Sequence, residues 1–205
     1  MRKAYRPVMG VASDGWLILL PLAALTGTTM VSGDWVTSGL LAAVAVALLL
    51  VFLDPERRIP SVPLGIVSPV DGRISEVREC RDEVLKRPAV VIRIDVAWFD
   101  SYAVRSPSEG LACAPTARSE SRPSSWIRTD EGDSILLICR SGAMGGVPPM
   151  RFAYGSRIGQ GQRCAPRRLA RQFEVVVPAG VRLEVEVGQR VRSGADLLAT
   201  MIRRN

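Results

Sequence analysis

Apolar positions fall into two regimes along the chain. Between Trp16 and Leu53 they run almost unbroken: residues 16–31 read WLILLPLAALTGTTMV and residues 36–53 read VTSGLLAAVAVALLLVFL, with no charge in either run. Only Ser32-Gly33-Asp34 and Trp35 separate them. Runs of this kind predict a tight helical hairpin, and at about 1.5 Å per residue the second run is long enough to cross a hydrocarbon core. The first is diluted by Pro21, Gly27 and three threonines, and becomes long enough if it starts near Val8. Trp16 and Trp35 are expected near the interfaces. Arg2, Lys3 and Arg6 precede the hairpin, Arg57 and Arg58 follow it, and the turn carries no basic residue. The positive-inside rule then predicts two spans in the inner membrane, with both termini and everything after Asp54 cytoplasmic. A cleaved signal peptide fits less well, because the second run follows at once and no small-x-small cleavage site lies between.

After Asp54 the period changes. Pro55, Pro60 and Pro63 mark a linker over residues 54–67, and a β-rich domain is expected over 68–205, behind an N-terminal arm and hairpin over 1–53. Short Val- and Ile-rich runs, broken by Gly, Pro or Ser, read as strands: 65–67, 73–77, 89–96, 134–139, 173–177 and 181–187. The last alternates apolar and charged side chains, as a strand with one solvated face should. No stretch of a dozen residues after Asp54 carries a helical period, so the fold class is mainly β. Two segments, Gly155–Gly161 and Gly188–Gly194, share the pattern G-x-x-[VI]-x-x-G. Glycine at each end lets a short connection turn sharply around one buried β-branched residue. The first and last β segments together resemble the barrel-sandwich hairpins of lipoyl and biotinyl carriers. A carrier needs a lysine at a hairpin tip, and Lys86 is the only lysine after the hairpin.

Charge and composition then narrow the chemistry. The chain has 205 residues, 27 basic against 20 acidic, a net charge of +7, and no histidine. That excludes a Ser-His-Asp hydrolase and any imidazole-ligated metal. Cys80, Cys113, Cys139 and Cys164 form no C-x-x-C pair, so no thiolate metal site is expected, and cysteines so sparse and scattered suit a reducing compartment. Arg163, Arg167, Arg168 and Arg171 cluster, and Arg203 and Arg204 end the chain; they read either as a solvated loop or as a surface for anionic phospholipid headgroups. No nucleic-acid fingerprint accompanies them.

Four blocks occur in a fixed order: Asp54-Pro55-Glu56-Arg57-Arg58-Ile59-Pro60, Ser68-Pro69-Val70-Asp71-Gly72-Arg73-Ile74, Phe99-Asp100-Ser101-Tyr102-Ala103-Val104-Arg105-Ser106-Pro107, and Gly188-Gln189-Arg190-Val191-Arg192-Ser193-Gly194. Behind an apolar hairpin, this order resembles the short, membrane-anchored phosphatidylserine decarboxylases, and the resemblance spans essentially the whole chain. It implies a role in phosphatidylethanolamine synthesis and a pyruvoyl group made by self-cleavage between Gly and Ser of a Phe-Gly-Ser motif. It also implies an Asp-His-Ser arrangement that assists the cut, and the pyruvoyl carbonyl as electron sink for decarboxylation.

Carried over residue by residue, the family aspartate falls on Asp71. The histidine position of F-D-x-H-x-x-R-x-P falls on Tyr102. Residues 155–178 match the family frame without a gap, and there Leu169-Ala170-Arg171 stands for Phe-Gly-Ser. The family segment A-R-R-I falls on Gly145–Pro148, so its paired arginines are missing, and its N-E-R segment has no clear equivalent in 119–128. Arginine cannot become a pyruvoyl group, and a tyrosine of pKa near 10 is a poor base at neutral pH. The resemblance therefore implies an uncut pseudoenzyme with no cofactor, resting on a lipid membrane and acting as partner or regulator of phospholipid synthesis, as a homo-oligomer or with an active paralogue. The alternative is a divergent working decarboxylase whose precursor is Ser156, in Tyr154-Gly155-Ser156, or Cys164.

Overall fold

The computed structural model describes residues 11–60, 62–81, 87–113, 125–139 and 150–202. Lys86, the Gly145–Pro148 segment and the basic residues at both ends lie outside them. The two apolar runs form helices α1 (Ser13–Val31) and α2 (Trp35–Val51). Asp34 caps the second by accepting from the Thr37 N–H at 3.2 Å. The partly covered positions Leu22, Thr26 and Thr29 on α1, and Leu41, Ala45 and Leu48 on α2, recur at helical spacing. Thr29 Oγ1 lies 2.9 Å from Ser38 Oγ across this line.

The hairpin is thus as expected, but its placement is not. No helix among the described residues is long and apolar enough to cross a membrane. Helix α2 has 17 residues, a rise of about 26 Å against a hydrocarbon core of about 30 Å. Helix α1 has 19, but opens on Ser13 and Asp14 and holds Pro21 and three threonines. The two-span, inner-membrane reading is overturned, and the cytoplasmic orientation built on it falls with it.

Thirteen short strands follow among the described residues: β1 (Gly65–Val67), β2 (Gly72–Arg81), β3 (Pro88–Asp95), β4 (Ala103–Arg105), β5 (Gly110–Cys113), β6 (Ser125–Arg128), β7 (Ser134–Cys139), β8 (Arg157–Ile158), β9 (Arg163–Pro166), β10 (Gln172–Pro178), β11 (Arg182–Leu183), β12 (Arg190–Val191) and β13 (Leu197–Thr200). The fold is mainly β, as the period predicts. A curled eight-stranded sheet runs β12-β2-β3-β10-β7-β6-β5-β8, with a three-stranded sheet β1-β13-β11 and a β4-β9 pair. All of these pairings are antiparallel.

The core lies between the large sheet and the β1-β13 layer. Phe173, Val175 and Val177 of β10 point into it opposite Ile94, Ile92 and Val90 of β3, and Ile66 and Leu198 close it from the other side. Each such side chain contributes roughly 1.5–3 kcal/mol by leaving water. The two glycine-bounded segments behave as their pattern predicts. Gly155, Gly161, Gly188 and Gly194 have φ of 82°, 67°, 92° and 69°, and Ile158 and Val191 between them are buried. Residues 181–187 depart from expectation: only Arg182 and Leu183 pair, because the chain then turns at Glu186–Gln189, where the Glu186 N–H donates to Gln189 Oε1.

Candidate functional site around Asp71

Asp71 ends the turn from Ser68, where Ser68 Oγ donates to the Val70 carbonyl at 2.7 Å. The next residue must be glycine, because a Cβ at Gly72 would stand 2.4 Å from the Asp95 carbonyl oxygen. The buried Asp71 carboxylate accepts from Arg57 Nη1 and Nη2 at 2.6 and 2.7 Å, from the Ser193 N–H at 2.6 Å and from the Ser101 N–H at 3.2 Å. Its four donors come from three different blocks, so all four sequence blocks close on this one side chain. A bidentate guanidinium and two backbone N–H groups fix its orientation.

A second carboxylate lies one residue away through Ser101, whose Oγ donates to Asp54 Oδ1 at 3.3 Å. Asp54 is fully buried and also takes Arg105 Nη2 at 3.3 Å and Arg163 Nε at 2.6 Å. Burial pulls the Arg105 pKa down and the Asp54 charge opposes it. The D-P-E-R block is therefore the clamp that fastens the segment after the hairpin onto the β domain.

Tyr102 is completely buried. Its ring packs on Phe52 at 4.8 Å between centroids and 58° between planes, in a cluster with Val11, Ala12 and Leu19. Its N–H donates to the Leu53 carbonyl, and its own carbonyl accepts from the Arg167 N–H at 2.7 Å. Tyr102, which the resemblance sets at the histidine position, thus forms the root of the helical hairpin.

The turn over 167–170 faces this root. Arg168 and Leu169 have φ of 51° and 59°, a left-handed conformation that costs roughly 1–2 kcal/mol per non-glycine residue. The Ala170 N–H donates to the Arg167 carbonyl at 3.0 Å, and Leu169 packs against the hairpin root. Arg167 is 1% exposed and donates Nη1 to the Ala97 carbonyl at 2.6 Å and Nη2 to the Trp98 carbonyl at 2.9 Å. Burial lowers its pKa, and Asp100, Tyr102 and Asp71 oppose that shift. Arg171 is exposed, with its guanidinium 5.5 Å from the centre of the Trp98 ring. Arg167 thus touches Tyr102 through the backbone, Tyr102 follows Ser101, whose N–H reaches Asp71, and Arg171 packs on Trp98. The arginine cluster is not a uniform surface, because Arg163 and Arg167 are spent inside the molecule.

The two other precursor candidates are each tied into their own turn or strand. Ser156 Oγ donates to the Ala153 carbonyl at 2.6 Å within a turn, and its carbonyl accepts from the Ala112 N–H in β5. Cys164 is buried in β9 with Sγ donating to the Val104 carbonyl at 3.3 Å. Burial pushes the Cys164 and Cys139 thiols up to about 12, so both are protonated at neutral pH and poor nucleophiles. All four cysteines are free. A maleimide in excess is expected to modify Cys80 and Cys113 in the native chain and to reach Cys139 and Cys164 only on unfolding, read by peptide mass. The raised thiol pKa values also carry a sign. This stability term is whole below the ordinary value of 9.0 and is lost as pH climbs toward 12.

Among the residues that sequence reasoning did not single out as site residues are Asp54, Arg57, Ser101, Arg105, Ser193 and Arg167. All but Arg167 lie inside the quoted blocks, which was the available signal. Fold and site together define a β-rich domain with a buried aspartate–arginine centre assembled from four separated blocks.

No family model matches the chain. Curated relatives do. The phosphatidylserine decarboxylase proenzyme of Nitrosomonas eutropha is 28% identical over 213 residues, covering 97% of this chain and 99% of its own. That of Nitrosomonas europaea is 26% identical over the same shares, and that of Burkholderia lata 24% identical over 93% of this chain and 96% of its own. Over nearly its whole length the chain is thus similar to proteins named phosphatidylserine decarboxylase proenzyme.

Proposed function

We propose that this chain is an unprocessed, catalytically degenerate phosphatidylserine decarboxylase homologue that serves phospholipid metabolism as a partner or regulator, through self-association or pairing with an active paralogue. The observation that carries the reading is the environment of the three family positions. Asp71 keeps its carboxylate, locked by Arg57 and two backbone N–H groups. Tyr102 is a packing residue with no exposed surface. Arg171 presents a guanidinium over Trp98 where a hydroxyl would be needed.

A pyruvoyl group does not fit this centre. Its formation needs a hydroxyl or thiol beside a cleavable carbonyl, and the residues at that place are Ala170 and Arg171. Cys164 is buried and protonated with Sγ on the Val104 carbonyl, and the Ser156 hydroxyl is taken up by the Ala153 carbonyl. Intact mass of the purified chain is the test: a single species of 22.2 kDa is expected. Two fragments, the smaller with a blocked N-terminus, would overturn the reading and locate the true precursor.

A further inference from the structure

Away from the Asp71 centre, the chain encloses a half-open cavity of about 510 Å³. It runs beside a second hollow of about 420 Å³ with which it shares Leu64, Glu131 and Met201. One wall is apolar, made by Val62, Pro63, Leu64 and Met201. Glu109 and Glu131 stand on the cavity with Ser108 and Gln160.

The walls are built rather than incidental. Gln160 Nε2 donates to the Gly65 carbonyl at 2.6 Å, and the Met201 N–H donates to the Leu64 carbonyl at 3.0 Å. Glu131 sits in the β6–β7 turn, which the Thr129 N–H closes on the Asp133 carbonyl at 2.8 Å. Ser106 Oγ fixes the segment that bears Glu109 by donating to the Ser108 carbonyl at 2.6 Å.

Charge gives the cavity its character. The chain carries seven more basic than acidic groups, and several of its carboxylates find arginines: Asp54 pairs with two, and Asp71, Asp100, Asp133, Glu174 and Asp196 with one each. Among the described residues, neither the Glu109 nor the Glu131 carboxylate has an ion pair or a hydrogen bond. Two uncompensated anions on one apolar-walled cavity, in an arginine-rich molecule, complement a cation with an apolar body.

We propose that this cavity binds a small amphipathic amine, with its ammonium at Glu109 and Glu131 and its hydrocarbon part against Pro63, Leu64 and Met201. None of the residues of the Asp71 centre lines it, so the proposal stands or falls apart from the reading of that centre. Titration calorimetry on the full chain with hexylamine, hexanol and hexanoate tests it. Hexylamine is expected to bind saturably, and the E109Q/E131Q variant, with both positions exposed and an unchanged melting temperature, to bind it at least tenfold more weakly. Equal binding of hexanol, undiminished binding by the variant, or no saturable binding of hexylamine would each overturn the proposal.

Discussion

Asp54→Ala is expected to destabilise the chain by about 3–5 kcal/mol, measured as a shift in the denaturant midpoint. The Asp54 carboxylate has no exposed surface, and the guanidinia it serves, Arg105 and Arg163, have side chains only 4% and 15% exposed. Removing the anion leaves two neighbouring cations in a poorly solvated site where each already disfavours the other. Ser101 Oγ loses its acceptor as well. Asp54→Asn keeps a hydrogen-bond acceptor but not the charge, so a smaller loss is expected. The sharper control replaces the whole set. A variant with Asp54→Leu, Arg105→Met and Arg163→Met is expected to lose less than Asp54→Ala alone, because the cost lies in the uncompensated charges rather than in the missing pair. A loss below about 1 kcal/mol for Asp54→Ala would show that the clamp is solvated.

That clamp marks the border between what could be read in the sequence and what could not. The helices, the long strands β3, β7 and β10 and the β-rich class follow from hydrophobic period alone, because each buries a run of Val, Ile or Leu long enough to show one. Strands β4, β8, β9, β11 and β12 have two to four residues and no period of their own. They exist because distant segments pair with them, as Arg190-Val191 does with Gly72-Arg73. The alternation of residues 181–187 did not carry into a solvated strand: Leu183 and Val187 are exposed, and the turn at Glu186–Gln189 ends the pairing.

The centre was half legible for the same reason. Asp71 could be found because its block is distinctive, whereas Ser101 and Ser193 act through backbone N–H groups, which no side-chain pattern announces. Arg167 was read as part of a surface cluster because nothing local distinguishes it from Arg168. Only the approach of the Ala97 and Trp98 carbonyls takes it inside.

Tyr102→Ala is expected to lower stability by about 3–5 kcal/mol, as deletion of a fully buried aromatic does, and to lower the melting temperature by roughly 10 °C for a chain of this size. The loss has a location. The Tyr102 ring holds Phe52, and through it Val11, Ala12 and Leu19, against the β domain. The hairpin root is therefore expected to open first, with limited proteolysis between Leu53 and Arg58 preceding unfolding of the core. Tyr102→His is the informative second variant, because it introduces the residue type that the resemblance sets here. An imidazole is smaller and more polar than a phenol, so it is expected to cost stability in this apolar root. It is also expected to leave the chain uncut at 22.2 kDa, since Arg171 offers no hydroxyl for a base to activate. A His variant as stable as the parent would mean that the site still accommodates a catalytic imidazole. Loss of stability in both variants would mean that the position serves packing, as the proposed uncut homologue requires.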